Sequence, residues 1–475
     1  MNQSKIVIVW FRRDLRLSDH LALEAASQQP AEILPVFCLD PALLESEHTQ
    51  SPRLAFMLQG LASLDHSLRQ RGSRLAILRG KPKKVLAELI ERVGASALFF
   101  NADYTPYARH RDETIVKALP IPVHRFDDAL LHAPGEVLKA NGEPYVVFTP
   151  FKRQWLTLTR RIIAEDYLEK ARFYAVPEDI GQPIPTLAEL NFRSASIEFP
   201  PVGEQAAQQR LQDFMQQNIY LYGESRNRLV AEPWRDTRSA SSYLSPYFRF
   251  GMISPRQVYW AARDAYTRAT QKSAKASVEA FVNELIWREF YMHIMYFYPH
   301  VTTRSFRTEY DDIEWADDPN GLQAWKDGIT GYPIIDAAMR QLKAIGWMPN
   351  RARMIVASFL TKDLLIDWRE GEKHFMQCLI DGDPAANNGG WQWAAGTGTD
   401  AQPYFRIFNP VSQSKKFDPE GEYIRFWVPE LADLPLKFIH EPWKAPTLPK
   451  DYPPPIVDHQ KARQRTLEAY KAIKS

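Results

Sequence analysis

The stretch "KIVIVWFRRDLRLSDHLALEAA" (Lys5–Ala26) decides the fold class. After Lys5 it opens on a continuous apolar run, Ile6–Trp10, as a strand buried on both faces requires, and "HLALEAA" then takes up a helical period. The same alternation recurs. "ILPVFCL" (Ile33–Leu39), "RLAIL" (Arg74–Leu78), "ALFF" (Ala97–Phe100) and "VHRF" (Val123–Phe126) read as strands. "RLAFMLQGLASLDHSLRQRG" and "KKVLAELIERVG" read as amphipathic helices running up to a glycine. Repeated strand–helix–strand units predict a doubly wound parallel sheet, covered by helices, over residues 1–130. Where a dinucleotide-binding turn would carry G-x-G-x-x-G, this chain has "WFRRDLRLSD". A ligand is still expected at the carboxyl ends of the strands, near Arg12, Arg13, Asp14, Asp40 and Asp103.

Outward from the sheet the periodicity fades. Residues 131–203 are rich in Pro, Gly and turn residues and read as a long connection, interrupted by one short helix at about Pro150–Glu165. From 204 to 475 helices dominate: Glu204–Gln217, Pro255–Ala269, Ser277–Phe297, Gly321–Lys326, Ile334–Ala344, Arg351–Ile366, Glu372–Leu379 and a last one after "YPPP". The fold class is therefore α/β followed by all-α, and 475 residues exceed one ordinary core.

Composition narrows the function by exclusion. The 59 basic and 57 acidic residues nearly cancel, so any polyanion site must come from local clustering. Cys38 and Cys378 are the only cysteines, which fits a reducing, cytoplasmic setting. No run of 18 apolar residues and no secretory leader pattern occurs, so a soluble, untargeted protein is expected. Serine-hydrolase, zinc-hydrolase, Walker and CxxC motifs are absent, leaving no metal site to propose and pointing any chemistry toward a cofactor. Of 13 Trp, 11 follow residue 200.

Four stretches of the helical half hold chemistry. "SSYLSPYFRFGMISP" clusters Ser241, Ser242 and Ser245 behind Arg226, Arg228, Arg235 and Arg238; it fits a diphosphate site or a Ser-rich cap. Glu284, Trp287 and Arg288 share one helix face, which fits holding a base or an intrahelical ion pair beside a packed ring. Between Ala337 and Lys362 five basic residues meet no acidic one, which suits phosphates, while Asn350 fits an N-cap. Last, "DGDPAANNGGWQWAAGTGTDAQPYFR" (Asp381–Arg406) is too polar and Gly-rich for a core helix and too aromatic for a linker. It reads as a ligand-contacting loop or a merely ordered one.

Taken with "WFRRDLRLSDH", the motifs "NELIWREFY", "GYPIIDAAMRQL", "GWMPNRARMIVASFLTKDLLIDWREGE" and "DGDPAANNGGWQWAAGTGTDAQPYFRIFNP" resemble the photolyase/cryptochrome family. Within it the chain is most similar to bacterial class I cyclobutane pyrimidine dimer photolyases, from residue 5 to beyond 460. The resemblance implies an antenna domain, a helical FAD domain, and splitting of pyrimidine dimers in DNA by an electron from light-excited FADH⁻. It assigns Tyr222, Ser241, Ser242, Leu244, Ser245, Phe281, Glu284, Arg288, Asn350, Arg353, Asp381, Asp383 and Asn387 to the cofactor, with Asn387 at the flavin N5. Arg226, Glu284, Trp287, Asn350, Arg351, Arg353, Met354 and Trp393 fall to the lesion and its DNA. Trp391, Trp368 and Trp315 become an electron relay, while Trp325 and Trp443 remain core.

Asn350 and Met354 stand where (6-4) photolyases carry two histidines, and Asn387 where many cryptochromes carry Asp or Cys. A photoreceptor without repair, or a light-independent flavoprotein that binds nucleic acid, is the alternative. The folate pattern of enterobacterial relatives fails at Tyr107, Ala108, Val301 and Thr302. A deazaflavin or second flavin at Arg12, Asp40, Asp103 and Arg249 is therefore favoured over methenyltetrahydrofolate. A monomer with no membrane and no obligate protein partner is expected.

Overall fold

The computed structural model describes residues 5–47, 49–162, 166–193, 197–232, 234–235, 241–447 and 449–473. Arg238 and part of the expected Pro150–Glu165 helix lie outside these residues.

Five parallel strands form one sheet: β1 (Lys5–Phe11), β2 (Ala31–Leu39), β3 (Ala76–Arg79), β4 (Ala95–Asn101) and β5 (Val123–Phe126), in the order β3-β2-β1-β4-β5. Because side chains alternate along a strand, β1 feeds two cores. Ile8 and Trp10 pack with Leu34, Val36, Leu98 and Phe100 on one face. Val7, Val9 and Phe11 pack on the other, in a core that continues into the helical half through Phe281, Leu285 and Phe290. Helices α1 (Leu21–Ser27), α2 (Ser51–Arg69), α3 (Pro82–Val93) and α4 (Pro106–Ala118) link the strands. α3 stops at Gly94 as expected, whereas α2 ends at Arg69, three residues before Gly72. The short helix of the connection is α5 (Phe148–Thr157), which starts two residues earlier than the sequence predicts.

The helical half contains α6 (Glu204–Asp213), α7 (Ser245–Phe250), α8 (Pro255–Arg268), α9 (Lys272–Phe297), α10 (Pro319–Asp327), α11 (Pro333–Ile345), α12 (Asn350–Ser358), α13 (Trp368–Cys378), α14 (Pro384–Ala395) and α15 (His459–Ala472). Two expected α-helices finish as π turns: α6 passes into Phe214–Asn218 and α12 into Phe359–Asp363.

The main correction falls on the Asp381–Arg406 stretch, whose first half is helix rather than loop. Asp383 caps α14, accepting from the N–H groups of Ala385 (3.0 Å) and Ala386 (3.1 Å). Pro384 takes the first turn, where its missing N–H costs nothing, and Gly396 ends the helix at φ 82°. Gly389 and Gly390 each weaken an isolated helix by about 1 kcal/mol. Tertiary contact compensates at Gly389, where any Cβ would run into the ring of Tyr291 on α9.

Sheet and helices are stitched together by buried charge. Arg16 and Arg256 both donate to Asp128, each at 2.6 Å. Glu204 accepts the N–H groups of Leu17 (2.7 Å) and Ser18 (2.9 Å). The Leu15 N–H donates to the Phe250 carbonyl (2.9 Å), beside Gly251 at φ 59°, where a Cβ would strike the Arg13 carbonyl.

Candidate active site

The strand order changes direction between β1 and β4, and ligands in open α/β sheets favour such a switch point. Arg13 leaves the end of β1 there and donates to Asp383 and, at 3.3 Å, to Asp103. A cleft lies between these residues, Tyr104, Met292, Met295 and Ala385. Asp103 is held below the usual carboxylate range: burial opposes its charge, but Arg13, Arg12 and Arg111 outweigh burial. Arg249 falls to about 9, through burial first and repulsion from Arg13 second, and its Nε and Nη1 have no partner among the described residues. Arg12 lies on the other side of the strand ends, its guanidinium 4.7 Å from the Trp10 ring and 4.5 Å from Phe100, paired with Asp112. Asp40 caps the turn after β2 and accepts from the Tyr107 hydroxyl.

Deeper in the helical half, Arg353 on α12 donates to Asp381 at 2.8 Å. The other oxygen of that carboxylate is buried without a partner among the described residues, so an acceptor stands ready for a ligand donor. Arg353 also lies 6.0 Å from the Trp347 ring, and the Trp347 indole donates to Ser245 Oγ (3.2 Å). These contacts tie the serine segment to Asp381. The serines are not helix caps as one reading allowed: α7 begins after Leu244, which makes no side-chain cap, and Ser242 Oγ only accepts weakly from Leu244 N–H (3.4 Å). Asn387 donates to the Glu372 carbonyl (3.0 Å), and Asn388 reaches the Glu372 carboxylate (3.4 Å). Burial pushes that carboxylate up to about 7, against the Asn388 hydrogen bond.

On α9, Glu284 does not pair with Arg288. It accepts from Arg226, whose guanidinium also lies 5.4 Å from the Tyr222 ring, and Tyr222 packs edge-on against Phe281 at 5.3 Å. Arg288 turns the other way, donating to the Ala129 carbonyl (2.8 Å) over Phe248. Asn350 is the first residue of α12 and not its cap, since Pro349 holds that position; its amide lies 3.7 Å from Met354 Sδ, one turn on. Arg351 reaches Asn227 (3.3 Å) and covers Phe417. Trp287 and Trp393 are half-buried.

Trp391 and Trp368 are buried and Trp315 half-buried, and none of their indole N–H groups has a partner among the described residues. Gly371, on the helix that Trp368 opens, lies against the Trp391 ring, and Trp315 packs edge-on to Tyr470 at 6.3 Å. Trp325, fully buried and donating to the Val356 carbonyl, packs at 5.9 Å from Trp391, and Trp443 packs on Tyr332. Among the site's neighbours, Phe148, Trp347 and Glu372 carry no spacing signal, whereas Tyr291 lies four residues after Trp287 on the same helix face. Among the described residues no His, Cys, Asp and Glu cluster is arranged to hold a metal ion, and no helix is long and apolar enough to cross a membrane.

Two family profiles match this arrangement. Residues 7–170 match "DNA photolyase", and residues 281–472 match "FAD binding domain of DNA photolyase". The chain belongs to the DNA photolyase family. Within that family it is 44% identical to a deoxyribodipyrimidine photo-lyase of Escherichia coli and 41% identical to one of Halobacterium salinarum, covering 98% of both chains in each case. The class III photolyase of Agrobacterium tumefaciens superposes with a TM-score of 0.89 at 37% identity, covering 100% of this chain and 98% of that one. An archaeal photolyase from Sulfolobus tokodaii, described with two FAD molecules, gives 0.83 at 34%, covering 98% of this chain and 100% of that one. The photolyase fold, the parallel sheet and the helical FAD-binding region thus agree with the sequence-based expectation.

Proposed function

We propose that this chain is a light-driven DNA repair enzyme, a deoxyribodipyrimidine photo-lyase that holds FAD among α9, α12 and α14 and splits cyclobutane pyrimidine dimers. The observation that carries the reading is the convergence around α14. There, among the described residues, Asp381 has a buried oxygen with no partner, Glu284 is held by a partly exposed arginine, and Trp391 is buried with no partner for its N–H. Full-length likeness to enzymes named for that reaction supports it.

The donor and acceptor set fits a flavin dinucleotide. Asp381 would accept from its polar edge, while Tyr222, Ser241, Ser242, Leu244 and Ser245 would line its phosphate and ribityl portion, beside Phe281 and Arg288. When bound and reduced, FAD supplies a light-driven electron to the dimer and receives it back once the ring has opened. The chain's own residues do the rest. Asp383 stays anionic beside Arg13, and Asn387, its NH2 anchored on the Glu372 carbonyl, would sit beside the flavin ring. Glu284, exchanging Arg226 for the extruded pyrimidine, accepts a hydrogen bond from the base edge. Trp287, Trp393, Asn350 and Met354 surround that base, and Arg351 meets the DNA phosphates. Extrusion costs a few kcal/mol, and least where pairing is already damaged. Trp391, Trp368 and Trp315 relay an electron inward from the surface.

We further assign residues 1–130 to an antenna domain, 131–203 to a linker and 204–475 to the catalytic domain, in a cytoplasmic monomer. A deazaflavin or second flavin would sit at the strand ends near Arg12, Asp40, Asp103 and Arg249. The purified protein tests all of this directly. Its absorption spectrum should display FAD plus a second near-ultraviolet or blue chromophore, and blue light should restore a thymine-dimer oligonucleotide. Intact flavin photochemistry without repair would move the chain to the photoreceptors.

A further inference from the structure

Phe148 and Trp287 lie face to face, with centroids 3.7 Å apart and planes 4° from parallel. Left to themselves, aromatic pairs prefer offset or edge-on contacts, so surrounding structure must impose this sandwich. Three features do so. Phe148 opens α5, and its N–H donates to Asp400 (3.1 Å), which adopts a left-handed backbone at φ 44°. The neighbouring Thr399 hydroxyl donates to the Val146 carbonyl (2.5 Å), pinning the same strap from the other side. Phe290 then sets its edge against both rings, at 5.8 Å from Phe148 and 5.6 Å from Trp287.

The sandwich is one-sided. Phe148 is buried and Trp287 is only half-buried, so Phe148 covers the inward face and the remaining exposure of the indole is outward. One turn along α9, Tyr291 tilts against Trp287 at 5.5 Å and is pressed from behind by Gly389, two residues after Asn387. The orientation of the indole is therefore set jointly by the α5 strap and by α14.

We infer that Phe148, locked by Asp400, is a positioning residue for lesion recognition, holding Trp287 flat for the extruded pyrimidine. The inference rests on the reading of Trp287 as a stacking surface for that base. An indole free to rotate would have to be ordered at the moment of binding, and pre-ordering it removes that cost. The effect therefore falls on affinity for damaged DNA, not on the splitting of a dimer already bound.

The test uses the full-length holoenzyme, with a single thymine dimer in a duplex and the same duplex undamaged. Phe148→Leu keeps the bulk and removes the flat face. It should weaken dimer binding about tenfold, leave undamaged-duplex binding within about twofold, and leave the repair rate at saturating substrate and the flavin content unchanged. Phe148→Tyr should restore affinity. Asp400→Ala, which frees the strap without touching either ring, should weaken dimer binding about threefold, and it serves if Phe148→Leu does not fold. In a Trp287→Ala background, Phe148→Leu should add less than twofold. Equal loss on both duplexes, wild-type affinity in Phe148→Leu, or additivity with Trp287→Ala would each overturn the inference alone. Unchanged dimer affinity in Trp287→Ala would bring down the stacking role of Trp287 as well.

Discussion

Arg13 donates to Asp383 across 370 residues of sequence, tying the end of the first strand to the cap of α14. Both side chains are mostly buried, at 20% and 13% exposure. Asp383 is held below its ordinary range: burial opposes the charge, but Arg13, Arg249 and Arg288 prevail. A depressed carboxylate contributes stability that is present above its unfolded value, near 3.8, and lost as pH falls through its folded one. Arg13→Ala should cost about 3 kcal/mol at neutral pH, as removing one partner of a buried pair does. It should also flatten the loss of melting temperature between pH 5 and pH 3. A wild-type acid profile in the variant would refute the role of the pair.

Glu284→Ala should lower the yield of repair per absorbed photon severalfold while flavin content stays at the wild-type level. The carboxylate touches Arg226 and no element of α14 is held by it, so its loss should not release a cofactor. Quantum yield with pre-reduced enzyme checks this, and an unchanged yield would remove Glu284 from the reaction.

Trp315→Phe should slow light-driven reduction of oxidised flavin by an order of magnitude or more, yet leave repair by pre-reduced enzyme intact. Trp315 is the half-exposed member of the three indoles, while Trp368 and Trp391 are buried. Photoreduction at the wild-type rate would send the relay along another path.

Glu289 carries a different pH dependence. Buried, and accepting from the Trp155 indole (2.5 Å) and the Leu131 N–H, it is pushed up to about 7 chiefly by burial. A carboxyl with a raised folded value stabilises most below its unfolded value of 4.5, and that contribution is lost as pH rises through about 7. At about 1.4 kcal/mol per pKa unit, the change over this window is on the order of 3 kcal/mol. Glu289→Gln should shrink the drop in melting temperature between pH 5 and pH 8 by several degrees. An identical drop in the variant would mean that Glu289 is already ionised in the folded state.

What the sequence discloses follows physical range. The strands were legible because Ile8 and Trp10 serve one core while Val7 and Val9 serve another, which leaves an unbroken apolar run. The helix at Pro384–Ala395 is hidden in the sequence because two glycines and two asparagines outweigh its Asp-Pro start and glycine stop. What rescues it is the close approach of Gly389 to Tyr291, nearly a hundred residues earlier, which no local pattern carries. The same holds in the site. Glu284, Trp287 and Arg288 share a helix face by their spacing, which allows either a base-holding face or a Glu284–Arg288 pair; the pair does not form, because a longer-range partner, Arg226, takes the carboxylate. Glu372 and Phe148 act through residues far from them in sequence, so nothing in their own neighbourhood marked them.

Arg16, Asp128 and Arg256 bear finally on protein engineering. Sheet and helices share one apolar core and a buried joint in which Arg16 and Arg256 meet Asp128 and Arg256 also meets Asp19, so neither half is an interchangeable cassette. A graft that imported another relative's sheet to change light harvesting would strand guanidinium groups in the seam unless Asp128 and its counterparts travelled with it. The productive place to recolour such an enzyme is the set of strand-end loops, which can be rewritten with that joint left whole.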